Sequence, residues 1–142
     1  MTTPPLTRSV GNAERAMRAL LERELASEGL TFAHWTALVF AGGTPLSPSQ
    51  IAQRQLAGHV VASEAEALAA IARLADAALL QSAPDGALQH TEAGRSLFAK
   101  LSKSVEDITG TLFAGLPEAD LEATHRTLLE IAGRANKLLA TK

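Results

Sequence analysis

The 142-residue sequence has no cysteine and no tyrosine, one tryptophan and four phenylalanines. Without cysteine, a disulfide scaffold and a thiolate zinc site are both excluded. The four histidines, at positions 34, 59, 90 and 125, are too scattered to read as a metal site. No apolar run reaches the roughly 18 uncharged residues that a membrane span needs. The opening "MTTPPLTRSV" lacks the basic flank and apolar core of a signal peptide. These absences predict a cytoplasmic protein that does not enter membranes. A strong charge of one sign is missing as well. Thirteen basic and fifteen acidic side chains leave a formal charge of -2. No global positive field therefore advertises nucleic acid, although a local patch remains open.

Enzyme signatures are also missing. Ser63 and Ser96 have no Gly-x-Ser-x-Gly surroundings. The glycines of "AGGTP" at 41–45 are not followed by Lys-Ser or Lys-Thr, so they make no phosphate loop. The expectation is a non-enzyme without cofactor or metal.

What is present is helix. Alanine and leucine dominate, which favours helix over sheet. After a loose start at Pro4 and Pro5, a first helix runs from about Thr7 to Ser27. Val10, Ala13, Met17, Leu20, Leu21 and Leu25 form its apolar stripe, and Gly29 stops it. Thr31 caps a second helix over His34 to Phe40, broken at Gly42 and Gly43. Ser47, with Pro48 at the first helical position and Gln50 to complete a capping box, starts a third that ends near Gly58. Ser63 and Glu66 repeat the device for a fourth, whose stripe is Leu68, Ile71, Leu74 and Leu79. Leu79 to Ser82 and Ala87 to His90 read as two short strands around the Asp85-Gly86 turn. Thr91 caps a fifth helix with a long apolar face from Leu97 to Leu112, and Pro117 opens a sixth through Leu121, Leu128, Leu129 and Leu138. The terminal helices carry more apolar surface than one small domain covers. A second copy of the chain is the simplest cover.

The stretch "SPSQIAQRQLAGHVVASEAEALAAIARLADAALL", positions 47 to 80, is thus a helix pair followed by a hairpin. The order of elements and several phrases resemble the MarR family of bacterial winged-helix regulators over residues 12 to 140. The phrases are "GLTFAHWTALVFA" from Gly29, Ser47 to Leu56, Ile71 to Leu74 with Ala77 to Leu80, "LQHTEAGRSLFAKL" with Leu88, Thr91, Gly94 and Arg95 on familiar positions, and "GLPEADLEATHRTLLEIA". The resemblance implies a mainly α fold: a winged helix-turn-helix with long terminal dimerisation helices and a short β-hairpin wing. It implies one domain over 1–142, with residues 31–90 as the core and 7–28 and 92–140 as dimerisation helices. It also implies a homodimeric transcriptional regulator that binds double-stranded DNA and responds to a small aromatic or apolar ligand.

The departures from the family matter for function. The segment between Ala52 and Ser63 is a few residues longer than the family's compact turn. Glycine is usual near Ala78. Recognition-helix positions that often hold Thr, Ser and Arg carry Ala65, Glu66, Ala69 and Ala70, and no lysine or arginine occurs from Asp76 to Glu92. A second reading therefore stays open: a MarR-like ligand-binding or protein-interaction module without sequence-specific DNA binding.

The candidate DNA-binding residues are Arg54, Ser63, Glu66, Arg73 and Arg95. Arg54 and Arg73 supply charge for phosphate. Glu64 and Glu66 read first as caps, because carboxylates favour a helix N-terminus. Gln50, Gln53 and Gln55 suit phosphate contacts or simply a polar surface. The candidate ligand-binding residues are Leu21, His34 and Trp35, with Trp35 offering a stacking face. Packing of that tryptophan in the core is the competing role.

Overall fold

The computed structural model describes residues 2–141. The elements are α1 (Leu6–Ala26), α2 (Phe32–Ala41), α3 (Pro48–Ala57), α4 (Glu64–Asp76), β1 (Leu80–Ser82), β2 (Leu88–His90), α5 (Glu92–Phe113) and α6 (Glu118–Ala140). This is a mainly α winged helix-turn-helix, as expected. The chain divides into two units, one ending at Ile108 and one beginning at Thr109.

In the first unit the core gathers Leu25, Leu38, Ile51 and Leu74, all fully buried, with Trp35, Leu80, Leu88 and Leu101 around them. The antiparallel hairpin pairs Leu80 with His90 and Ser82 with Leu88. Its inner strand is also held to the chain ahead of α3, where Leu88 N–H donates to the Leu46 carbonyl at 2.8 Å. The wing is therefore a fixed edge of the core.

Three helices end in the same way. Leu30 N–H returns to the Leu25 carbonyl, Val60 N–H to Gln55, and Leu79 N–H to Leu74, each at 2.9–3.0 Å. This closure requires a left-handed residue just past the helix. Gly29 (φ +71°), His59 (φ +60°) and Ala78 (φ +60°) occupy those places. Only the first is a glycine. The glycine that the sequence offered as the end of α3, Gly58, has φ -86° and lies one residue too early. Ala78 explains the departure noted above: the position wants glycine because a Cβ crowds the left-handed backbone, at about 1–2 kcal/mol. Glycine would lose roughly 0.4–1 kcal/mol through its freer unfolded chain. Ala78→Gly should therefore raise unfolding stability by about 0.5–1 kcal/mol, read as a higher urea midpoint. A lower midpoint would contradict the strain.

Two expectations about burial need correction. The α1 stripe is covered only at its C-terminal end. Leu25 is buried and Leu20 and Leu21 are half-buried, but Val10, Ala13 and Met17 are exposed, because the elements that pack on α1 meet only its last turns. On α4, Leu68 is 38 % exposed. The buried face is Ala67, Ala70, Ile71 and Leu74, because α2 and α3 pack on α4, and Leu68 stands beyond the edge of that face.

The second unit holds the end of α5, a turn with Gly115 at φ +78°, and α6. No residue of α6 is buried, and Leu128, Leu129, Ile131, Leu138 and Leu139 are exposed.

Candidate nucleic-acid interface

The helix pair is built on two N-terminal caps. At α3 the Ser47 hydroxyl accepts from Gln50 N–H at 3.2 Å, and the Gln50 side chain accepts from Ser47 N–H at 2.8 Å. At α4 the Ser63 hydroxyl accepts from Glu66 N–H at 3.1 Å. The Glu66 carboxylate accepts from Ala62 N–H at 3.0 Å, one residue earlier than a reciprocal box requires. Both Ser63 and Glu66 thus have structural partners at the end of α4 that would meet a groove.

Gln55 is not on a polar surface. It is fully buried. Its amide donates to the Ala33 carbonyl and the Thr36 hydroxyl, both at 2.8 Å, and so ties α3 to α2. Its Oε1 has no hydrogen-bond partner. Such an orphan costs about 1–3 kcal/mol. The glutamine pattern of α3 gave no warning of this, since only the packing of α2 buries the last of the three.

The charged candidates lie apart. Arg54 is exposed in the last turn of α3. Arg73 is exposed on α4 and leans back to the Gly29 carbonyl at 3.4 Å, a weak tie to the α1–α2 turn. Arg95 is exposed in the first turn of α5. Against them stand exposed Glu64, Glu66 and Asp76 on α4 and Asp85 at the wing tip, where the carboxylate accepts from Ala87 N–H at 3.0 Å.

The ligand candidates sit in or against the core. Trp35 is 9 % exposed and stacks on Phe98, with ring centroids 5.4 Å apart and planes 20° from parallel. Leu21 is half-buried against the same cluster. His34 is buried and acts as a cap: its Nδ1 accepts from Thr31 N–H at 2.9 Å, while His34 N–H reaches the Thr31 hydroxyl at 3.4 Å. An open cleft of about 290 Å³ lies elsewhere, between the α2–α3 turn and the hairpin, bordered by Gly43, Pro45, Asp85 and Leu88. His90, which sequence reasoning passed over, fastens the wing. Its Nε2–H donates to the Leu38 carbonyl at 2.7 Å, and its ring lies 5.1 Å from Phe98.

Burial, and then the charge of Arg73, push the His34 pKa below the usual 6.5. The bond from Thr31 N–H needs a lone pair on Nδ1, which agrees with a neutral ring. Above pH 6.5 neither the folded nor the unfolded chain protonates this side chain, so its stabilising cap is intact. As pH falls below 6.5 the unfolded chain takes up the proton first, and stability declines towards the lower folded value. His34→Gln, which keeps a capping side chain without a titration, should flatten this part of the profile. Urea midpoints at pH 7.5 and 5.5 check it. Equal pH dependence in both proteins would show that His34 does not carry the effect.

Among the described residues, no three His, Asp or Glu side chains gather to hold a metal, and no helix is long and apolar enough to cross a membrane. No protein-family model matches the sequence, and no curated protein does. Solved structures do match. The transcriptional regulator SlyA superimposes with a TM-score of 0.75 at 18 % identity, over 94 % of this chain and 96 % of that one. A MarR family protein of Mycobacterium tuberculosis, in complex with DNA, gives 0.70 at 20 % identity, over 91 % and 98 %. CouR of Rhodococcus jostii RHA1, bound to p-coumaroyl-CoA, gives 0.71 at 18 % identity, over 89 % and 91 %. At these identities the shared property is the fold, so the chain has the winged helix-turn-helix fold found in regulators of the MarR type.

Proposed function

We propose that the protein is a cytoplasmic MarR-type transcriptional regulator that binds duplex DNA as a homodimer. The observation that carries this reading is the helix pair. Helix α3 buries Ile51, Ala52 and Gln55, while α4 turns its whole outer side to solvent beside a fixed wing. That is how such a fold offers a helix to the major groove. The similar M. tuberculosis protein is itself in complex with DNA, which supports the same use here. Dimerisation would cover the apolar side chains of α6, which otherwise lose about 25 cal/mol for each Å² left in water. CouR binds an acyl-CoA, and by analogy a small effector would act on this chain through the Leu21, His34 and Trp35 region. Core packing of Trp35 means that such a ligand must open the core to reach the ring.

Arg54 and Arg73 are the only lysines or arginines between Ser47 and His90, so phosphate contact falls mainly to Arg54, with Arg73 and Arg95 at the margins. Binding should weaken only gently with salt, because the log–log slope is about 0.9 per neutralised phosphate. Arg54→Ala should weaken specific and non-specific duplexes alike, as loss of a positioning contact does. Titration over a salt series checks both. A steep slope, or indifference to Arg54→Ala, would move the interface elsewhere, and sedimentation as a compact monomer at micromolar concentration would remove the dimer.

The second reading is a protein- or ligand-binding module without sequence-specific DNA binding. The acidity of the outer face favours it: Glu64, Glu66 and Asp76 outnumber Arg73 on α4, and the wing tip adds Asp85. Failure to bind any genomic duplex at low salt would select it.

A further inference from the structure

We infer that the outer face of α4 reads thymine through its C5-methyl group. This rests on the reading of α4 as the helix that enters the major groove. The exposed residues Ala65, Leu68, Ala69 and Ala72 follow one another at steps of three, one and three, which places them on one side of the helix. The buried residues Ala67, Ala70, Ile71 and Leu74 repeat the same spacing on the opposite side. Helix α4 is therefore apolar on two faces, and only one of them is covered. The covered face builds the core. From Ala65 to Ala72 the other carries no side-chain hydrogen-bond donor or acceptor, and Asp76 continues it only at the C-terminal end of the helix.

Three polar side chains that could supplement that face have other partners. Ser63 and Glu66 bond backbone N–H groups at the N-terminus, and Arg73 turns towards the Gly29 carbonyl. The major groove distinguishes base pairs by donors, acceptors and one apolar group, the thymine methyl. The stretch from Ala65 to Ala72, with no side-chain donor or acceptor, can recognise only the last. The three alanines keep the backbone close to the base edges. Leu68, 38 % exposed and midway along the helix, is the one side chain of the four long enough to fill the space between neighbouring methyls. Glu64 and Asp76 repel phosphate from either end of the same helix. Little affinity can then come from charge here, and apolar contact carries more of the sequence preference.

The test uses the full chain and a pool of random duplexes. Selection should enrich sites with thymines at fixed positions in each half-site. Resynthesising an enriched duplex with 2′-deoxyuridine for thymidine keeps every base-pair hydrogen bond and removes only methyls. Each buried methyl removed should weaken binding about fourfold. Leu68→Ala, a surface change compatible with helix, should weaken the thymine duplex several-fold and reduce the uridine penalty at the base it faces. If the protein selects a sequence yet binds the uridine duplex equally well, thymine readout is wrong while the DNA reading stands. If no duplex is enriched and none binds at low salt, both readings fall.

Discussion

Gly94→Ala should cost about 3 kcal/mol of stability, although alanine is the better helix former. Gly94 lies in the first turn of α5, where the chain leaves the wing and turns back over the core. A Cβ there would overlap the Leu79 carbonyl oxygen and come within 2.9 Å of its carbon. That carbonyl has no freedom to withdraw. It accepts from Thr91 N–H at 3.1 Å, and Leu79 N–H is bound to Leu74. Thr91 adds two more ties, donating to the Ala78 carbonyl at 2.6 Å and accepting from Gly94 N–H at 2.9 Å. No rotamer change relieves a clash between two backbones, so α5 must shift and break part of this set. Overpacking of this kind costs roughly 1–3 kcal/mol, and each lost hydrogen bond about 1 more, against roughly 1 regained from helix propensity. Gly110, in the same helix, has no atom within 4 Å of the place of a Cβ. Gly110→Ala should stabilise by about 0.5–1 kcal/mol. Urea unfolding of the two variants checks the contrast. Similar effects in both would mean that the junction at Gly94 is looser than its geometry states.

Trp35→Ala should cost roughly 3–5 kcal/mol, the range for removing a large aromatic from a core. One face of the indole is covered by Phe98, and the ring joins the cluster that holds Leu38, Leu74 and Leu101. The stacked pair links α2 to α5. Its loss opens a cavity between the helix-turn-helix and the helix that leaves the wing. Circular dichroism is the suitable probe, because the variant lacks the chain's single tryptophan. Trp35→Phe should recover most of the loss. If Trp35→Ala leaves the unfolding midpoint nearly unchanged and abolishes a ligand response, the indole serves an effector pocket and the core account fails.

Much of the architecture was legible because it follows from local chemistry. Thr31, Ser47 and Ser63 each hold an oxygen three residues before a helical N–H, and each caps as expected. Pro48 and Pro117 stand where a missing N–H does no harm. Asp85-Gly86 makes the turn between strands that differ from expectation by one residue. Spacing of three and four marked the helices. It could not say which of two apolar faces on α4 is covered, since Leu68 and Ile71 satisfy the same periodicity.

The candidate site was less legible, and the reason is range. His34, Glu66 and Arg73 are polar residues that sequence alone leaves available to a ligand or to DNA. In the structure they meet Thr31, Ala62 and Gly29, respectively. Gln55 became a buried tie only because α2 lies across it, and Gly94 became indispensable only because Leu79 comes back to it from across the wing. By itself, the sequence determined where helices start, where the hairpin turns, and that excess apolar surface lies on the terminal helices. Caps, turns and periodicity act over a few residues and need no distant partner. Tertiary structure decided which polar groups are consumed by the fold and which face of α4 remains uncovered. Burial and long-range hydrogen bonds depend on what packs against a residue, and its neighbours in sequence do not fix that.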